Sequence, residues 1–162
     1  MPRYGYNVVI TDKRGRRGLD ITTGTPFGLI IPGDGPALKI VTGHSGGWIS
    51  VDIERLQAEP ADDLSAWEAV EQVTLQPQGL LLLANWRTEF AADFPPLANS
   101  AEDAYVAVRV SARDRDRPRT GVDSRRHPVE HHRVQTWPVA GLSPRVVLKR
   151  DSITSSLESC AP

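Results

Sequence analysis

The fold of this chain is decided by the stretch Tyr105-Val106-Ala107-Val108-Arg109-Val110-Ser111-Ala112-Arg113. Apolar side chains recur at every second position of this stretch: Val106, Val108, Val110 and Ala112. A period of two residues is that of a β-strand with one buried face. The sequence therefore predicts a half-buried strand, with Tyr105, Arg109 and Arg113 on its polar face.

Similar strand-like segments lie on both sides of this stretch. Residues 67–75 run through a Pro- and Gly-containing turn into the apolar residues 80–86, and residues 48–56 alternate in the same way. Further short strands are predicted at 8–11, 28–31, 37–42, 132–138 and 145–149. Because a glycine-rich segment joins them, residues 37–42 and 48–56 are expected to form a hairpin.

Many short strands without a sustained period of 3.6 residues are typical of an all-β fold. We predict an antiparallel β-sandwich, Ig/C2-like or jelly-roll-like, with long polar loops and at most one short helix. That helix would span residues 66–70, with Asp63 or Ser65 as its cap and Glu68 as the capping-box partner of Ser65.

The predicted organisation has three parts. Residues 1–36 form an N-terminal strand-and-turn extension, residues 37–150 form the sandwich, and residues 151–162 form a flexible C-terminal tail.

Composition limits the classes of function. The 19 basic and 20 acidic residues of this 162-residue chain nearly cancel, which gives no argument for binding nucleic acid or an anionic membrane. Cys160 is the only cysteine, so neither an intramolecular disulfide nor a cysteine-based zinc site is expected. No apolar run is long enough to cross a bilayer, since the longest covers residues 80–84. These features predict a cytoplasmic protein without a cofactor.

The sharpest motif is Gly43-His44-Ser45-Gly46-Gly47, which fits the G-x-S-x-G pattern of α/β-hydrolases. In that fold a helix follows the serine, whereas here residues 48–56 read as a strand. The run is also similar to the Gly-Asp-Ser-Gly-Gly of trypsin-like proteases, but no histidine precedes His44. A glycine-rich turn is therefore favoured, and a hydrolase using Ser45 with His127 or His131 is the alternative.

A second candidate is the cluster of His127, Glu130, His131 and His132, whose side chains could bind a borderline metal such as zinc. In a strand, Glu130 and His132 would share a face while His131 pointed the other way. The spacing matches no known metal motif, so surface histidines are favoured, with metal binding as an alternative.

The third candidate is the arginine-rich loop of residues 113–126, within a segment 113–130 that is expected to be mobile because it has little to bury. Its arginines alternate in part with Asp114 and Asp116, which favours a solvated loop over a phosphate clamp. Tryptophan beside arginine is the usual composition of an interface hot spot. The predicted binding residues are Arg113, Arg115, Arg117, Arg119, Arg125, Arg126 and Trp86.

Several short segments carry a resemblance to known proteins: Gly47-Trp48-Ile49-Ser50-Val51-Asp52-Ile53, Trp67 with Val70-Glu71, Gly79-Leu80, Tyr105-Val106-Ala107-Val108-Arg109-Val110 and Gln135-Thr136-Trp137-Pro138. They resemble a group of small uncharacterised actinobacterial proteins. More remotely, they are similar to the competence protein J type of DNA-entry nuclease inhibitors. Over residues 37–150 this resemblance implies a β-sandwich that acts by binding protein and has no active site.

The resulting expectation is a non-enzymatic β-sandwich that binds another protein, as an inhibitor or immunity-type partner. Loops are where recognition tends to reside on a rigid scaffold, so residues 87–103 and 113–131 are expected to make the contacts. Nucleic acid and membrane are not expected as partners, and a homodimer remains an open alternative.

Overall fold

Strands dominate the computed structural model, which describes residues 7–11, 28–33, 35–43, 49–61, 63–85, 93–116 and 128–153. Within these ranges lie ten strands: β1 (Asn7–Thr11), β2 (Ile30–Pro32), β3 (Leu38–Val41), β4 (Ile49–Arg55), β5 (Ala69–Leu75), β6 (Leu80–Asn85), β7 (Ala98–Asn99), β8 (Val106–Arg113), β9 (Glu130–Pro138) and β10 (Val146–Lys149). The all-β class predicted from the sequence is confirmed.

The strands form two five-stranded sheets. Sheet A has the order β2-β3-β1-β6-β7, and each neighbouring pair is antiparallel. Sheet B has the order β10-β5-β8-β9-β4, and its pairs are antiparallel except for β4 and β9, which run parallel. The architecture is a β-sandwich of one antiparallel and one mixed sheet.

The inner faces of the two sheets meet in one apolar core. β8 contributes the residues whose spacing predicts it, and each is at most 1 % exposed: Val106, Val108, Val110 and Ala112. Sheet A contributes buried residues of its inner strands: Ile10, Leu38, Ile40, Leu81 and Leu83. Full burial of such a side chain stabilises the fold by roughly 1.5–3 kcal/mol, so this core holds the two layers together.

The prediction that β8 is half-buried is wrong, because its polar face is covered as well. Arg109 and Ser111 are almost fully buried. β8 is the central strand of sheet B, and residues 56–61 and 63–67 lie over its outer face, where Arg109 contacts Glu59 and Pro60. Alternation along a strand identifies the strand but does not show what covers its second face.

The predicted hairpin between residues 37–42 and 48–56 is also wrong. β3 pairs with β1 and β2 in sheet A, whereas β4 pairs with β9 in sheet B. The chain therefore passes from one sheet to the other between Gly43 and Ile49. Earlier parts of the chain supply both neighbours of β3, so no edge of β3 is left for β4 to pair with.

The predicted short helix at residues 66–70 is wrong as well, because β5 begins at Ala69. The Glu68 amide already donates to the Ala112 carbonyl at 2.9 Å, which extends the pairing of β5 with β8. The Ser65 hydroxyl donates to Asp63 Oδ1 at 2.8 Å and so caps no helix. Sheet pairing overrides the local capping signal here.

Both segments outside residues 37–150 contribute to the sandwich. β1 lies between β3 and β6 in sheet A, and β2 is an edge strand of the same sheet. At the other terminus, the side chain of Asp151 is buried against Arg115. In the part of the chain that the structure describes, no helix has the length and apolar character needed to cross a membrane.

Candidate functional site

The strand register brings many strand termini together at one end of the sandwich, which we call the loop end. In sheet B, Arg113 at the end of β8 pairs with His131, and the start of β4 lies beside the start of β9. In sheet A, the same end holds the start of β2 and the ends of β3 and β6. Residues 43, 49, 116 and 128, which flank the segments 44–48 and 117–127, lie at this end.

Glu130 links the two sheets at the loop end. Its carboxylate is fully buried on the inner face of β9, where it accepts the Gly43 N–H of sheet A at 3.0 Å (Oε1) and 3.1 Å (Oε2). His132 lies two residues further along the same face, and its Nε2 is 2.6 Å from Glu130 Oε1. A buried carboxylate needs such donors because its desolvation is costly. The result is a hydrogen-bonded connection between β3 and β9.

Glu71 forms a second connection of the same kind. This buried carboxylate of β5 accepts the Leu29 N–H at 2.7 Å and the Ile30 N–H at 3.0 Å. Arg145 lies beside it, with Nε 3.8 Å from Glu71 Oε2 and Nη1 donating to the Ile30 carbonyl at 3.0 Å. A Cβ at Gly28 would overlap the Glu71 carboxylate. Two glutamates of sheet B thus hold the open end of the β2–β3 hairpin.

A buried ion pair fixes the chain just beyond β8. Arg115 Nη1 lies 2.9 Å from Asp151 Oδ2, and both side chains are buried. The preceding residue, Asp114, has a φ of 60°, in the left-handed region that residues other than glycine seldom adopt. The backbone of Arg115 then lies so close to Gly43 that a Cβ at Gly43 would overlap the Arg115 carbonyl. This pair therefore joins the C-terminal segment to the start of the 117–127 connection.

The outer face of sheet B carries a second set of charged residues under the covering segment, formed by residues 56–61 and 63–67. Arg109 stacks on Trp137, with 5.1 Å between its guanidinium carbon and the ring centroid. Its nitrogens donate to Gln72 Oε1 at 3.0 Å, to the Pro60 carbonyl at 3.3 Å and to Glu59 Oε1 at 2.9 Å. Arg109 thereby attaches the covering segment to the sheet.

Nearer the loop end, the same face carries what we call the basic patch, formed by Arg113, His131 and Arg133 around Trp67. Arg113 and His131 are directly opposite each other on β8 and β9, and Arg133 is the next outward residue of β9. The guanidinium carbons of Arg113 and Arg133 lie 5.5 and 4.8 Å from the Trp67 ring centroid. Such cation–π contacts hold an arginine side chain in a fixed orientation.

The opposite end of the sandwich has a different character. There Arg55 Nη2 donates to Glu102 Oε2 at 2.6 Å and to Asp103 Oδ2 at 2.9 Å. The hydrogen bond with Glu102 raises the pKa of Arg55 above its ordinary value. This cation is already neutralised by two carboxylates, so the loop end is the better candidate for a site.

The structure separates the residues that the sequence analysis singled out. Arg113 belongs to the basic patch, whereas Arg115 lies inside the molecule, paired with Asp151. His131 faces the side of the sheet opposite to Glu130 and His132, as the strand alternation predicts. The remaining candidates lie outside the described residues: Ser45, Trp86, Arg117, Arg119, Arg125, Arg126 and His127.

The described residues offer no third metal ligand beside Glu130 and His132. Glu130 and His132 are in contact, but the described residues contain no group of three or more His, Cys, Asp or Glu side chains placed to hold a metal ion. The His132 Nδ1 atom is buried and has no hydrogen-bond partner in the same part of the chain.

Sequence reasoning missed three of the most informative side chains: Glu71, Trp67 and Arg133. For Glu71 a signal was present, because it occupies an inward position between Ala69 and Val73 on an otherwise apolar strand face. A carboxylate at such a position must find buried donors. Trp67 and Arg133 come into contact because the covering segment lies over sheet B, and no local sequence pattern predicts that contact.

Comparisons with protein-family models, curated proteins and solved structures found no match to this chain.

Proposed function

We propose that the protein is a binding module that recognises another protein through its loop end. The observation that carries the proposal is the set of buried charged groups fixing the chain at that end: Glu71, Glu130, Arg115 and Asp151. Burying a charged group costs desolvation free energy, and an apolar core would stabilise a sandwich equally well. These groups hold the chain on either side of the connections in defined positions, which suits recognition by loops on a rigid scaffold.

Of the two loops expected to make contacts, segment 113–131 fits this proposal better. Residues 98–99 form β7, which pairs with Leu80 and Leu81 at the opposite end of sheet A. Residues 113–116 and 128–131, by contrast, lie at the loop end. An inhibitor or immunity-type role, which the resemblance to competence protein J type inhibitors implies, is one form of this proposed function.

Photo-crosslinking from two matched positions tests the proposal. A benzophenone side chain replaces Asp116, which is exposed at the loop end, or Gln78, which is exposed in the turn between β5 and β6 at the opposite end. After irradiation in an extract of the source cells, we expect a discrete protein adduct from position 116 and none from position 78. Equal adducts from both positions, or none from position 116, would contradict the proposal.

A hydrolase is the second candidate function, and one observation favours it. Glu130 orients His132, as the carboxylate of a catalytic triad orients its histidine, and it also binds Gly43, the first residue of the G-x-S-x-G motif. Ser45 itself lies outside the described residues. The complete burial of both the Glu130 and His132 side chains counts against this function, because a substrate has to reach the catalytic base.

A fluorophosphonate probe distinguishes the two functions. A hydrolase would be labelled on Ser45, and labelling would be lost in both Ser45→Ala and His132→Gln. The binding module that we propose is not labelled, so an adduct on Ser45 that depends on His132 would replace our proposal with the hydrolase.

A further inference from the structure

Arg109 shows how this fold uses an arginine for structure alone. It stacks on a tryptophan, is buried, and directs its nitrogens to Gln72, Pro60 and Glu59. Both its planar face and its N–H edge are therefore engaged inside the molecule. Arg113 and Arg133 occupy the same face of the sheet and stack on a tryptophan in the same way, so they can be compared with it directly.

The comparison shows a clear difference at the N–H edge. Within the described residues, neither Arg113 nor Arg133 makes a hydrogen bond or an ion pair, and the buried Nε of Arg133 has no acceptor. Arg113 is exposed, and Arg133 and His131 are partly exposed. Both arginine side chains are therefore accessible to an acceptor from outside the molecule.

Among the described residues, two acidic side chains lie close to the patch, and neither of them pairs with it. Asp52 lies beside Arg133 in the register of β4 with β9, yet it is exposed and forms no ion pair within the described chain. Glu68 directs Oε2 to the Asp114 N–H at 2.7 Å and is thereby engaged elsewhere. The patch thus presents two oriented guanidinium groups that form no ion pair among the described residues, with the His131 imidazole beside them.

We propose that the basic patch binds an acidic segment of the protein partner, with side-chain carboxylates docking on Arg113 and Arg133. Guanidinium groups match carboxylates because two parallel N–H···O bonds can form at once. Stacking on Trp67 fixes both groups before the partner arrives, which lowers the entropy lost on binding. This inference rests on the proposed function and adds the chemistry of the partner to it.

Peptide binding by purified protein tests the inference without a known partner. The probes are a fluorescein-labelled peptide of consecutive glutamates and a matched peptide of glutamines, followed by fluorescence anisotropy. We expect the glutamate peptide to bind at least about tenfold more tightly, and Arg113→Gln or Arg133→Gln to weaken it by about tenfold each. Arg113→Glu, a change at an exposed position, is expected to abolish binding. Lys39→Gln removes the same charge from sheet A and should leave binding within about twofold.

Three results would overturn the inference. The first is no preference for the glutamate peptide, and the second is an equal effect of Lys39→Gln and Arg113→Gln. The third is displacement of the peptide by inorganic phosphate at an ionic strength where sodium chloride has no effect, which would assign the patch to a phosphate group. Crosslinking at position 116 does not depend on the peptide experiment, so the proposed function and this inference can fail separately.

Discussion

At the scale of single residues, the loop end contains backbone contacts so close that a larger side chain would not fit. Gly43 lies between the Glu130 carboxylate, to which it donates its N–H, and the Arg115 carbonyl, which would overlap any Cβ at this position. The glycine is therefore required by close backbone contact. This contact is enough to explain why a glycine occupies position 43, the first position of the G-x-S-x-G motif.

Gly43→Ala should destabilise the protein by about 1–3 kcal/mol, because the new methyl group must displace backbone. Gly141→Ala is the matched control, since a Cβ at Gly141 meets no atom within 4 Å. The measurement is the free energy of unfolding in urea. Equal values for the two variants would contradict the close contact between Gly43 and Arg115.

Glu71→Gln tests the other inter-sheet connection. A glutamine offers one acceptor oxygen where the two amides of Leu29 and Ile30 require two, so we expect a loss of about 1–3 kcal/mol in unfolding free energy. Glu102→Gln, which alters a mostly exposed carboxylate paired with Arg55, should cost less than about 1 kcal/mol. A Glu71→Gln variant as stable as Glu102→Gln would contradict the buried role of Glu71.

At the scale of strands, the sequence predicts the elements well and their partners poorly. The alternation in β8 and β4 is local, so it can be read directly from neighbouring residues. The partner of β4 is β9, whose paired residues are about eighty positions further along the chain, and no local pattern specifies that choice. The sheet change between β3 and β4 was missed for this reason.

Engineered cysteine pairs test the parallel pairing of β4 with β9 in a Cys160→Ser background. Asp52→Cys with Arg133→Cys should form a disulfide on mild oxidation, because these residues are register partners on adjacent strands. Lys39→Cys with Val51→Cys, which a β3–β4 hairpin would bring together, should form none. Disulfide formation is measured by mass spectrometry, and the opposite outcome would restore the hairpin.

At the scale of the whole molecule, the two ends of the sandwich differ in how their charged side chains are paired, although the net charge of the chain is close to zero. At the opposite end Arg55 is paired with the exposed Glu102 and the buried Asp103, whereas at the loop end Arg115 and Asp151 are buried together and the arginines of the basic patch form no ion pair among the described residues. Amino-acid composition could not predict this difference, because it counts charged residues without saying where they lie in the fold. The fold class follows from periodicity, but the candidate site arises from contacts between residues distant in sequence, such as Glu71 with Leu29.

Amide hydrogen exchange tests the central claim, that buried glutamates fix the chain at the loop end. The Gly43 amide lies outside every strand and is exposed as a residue, so without Glu130 it should exchange rapidly. We expect strong protection at Gly43 in the wild-type protein and its selective loss in Glu130→Ala, which removes both acceptor oxygens, with the amides of β8 unchanged. Rapid exchange at Gly43 in the wild-type protein would contradict the account.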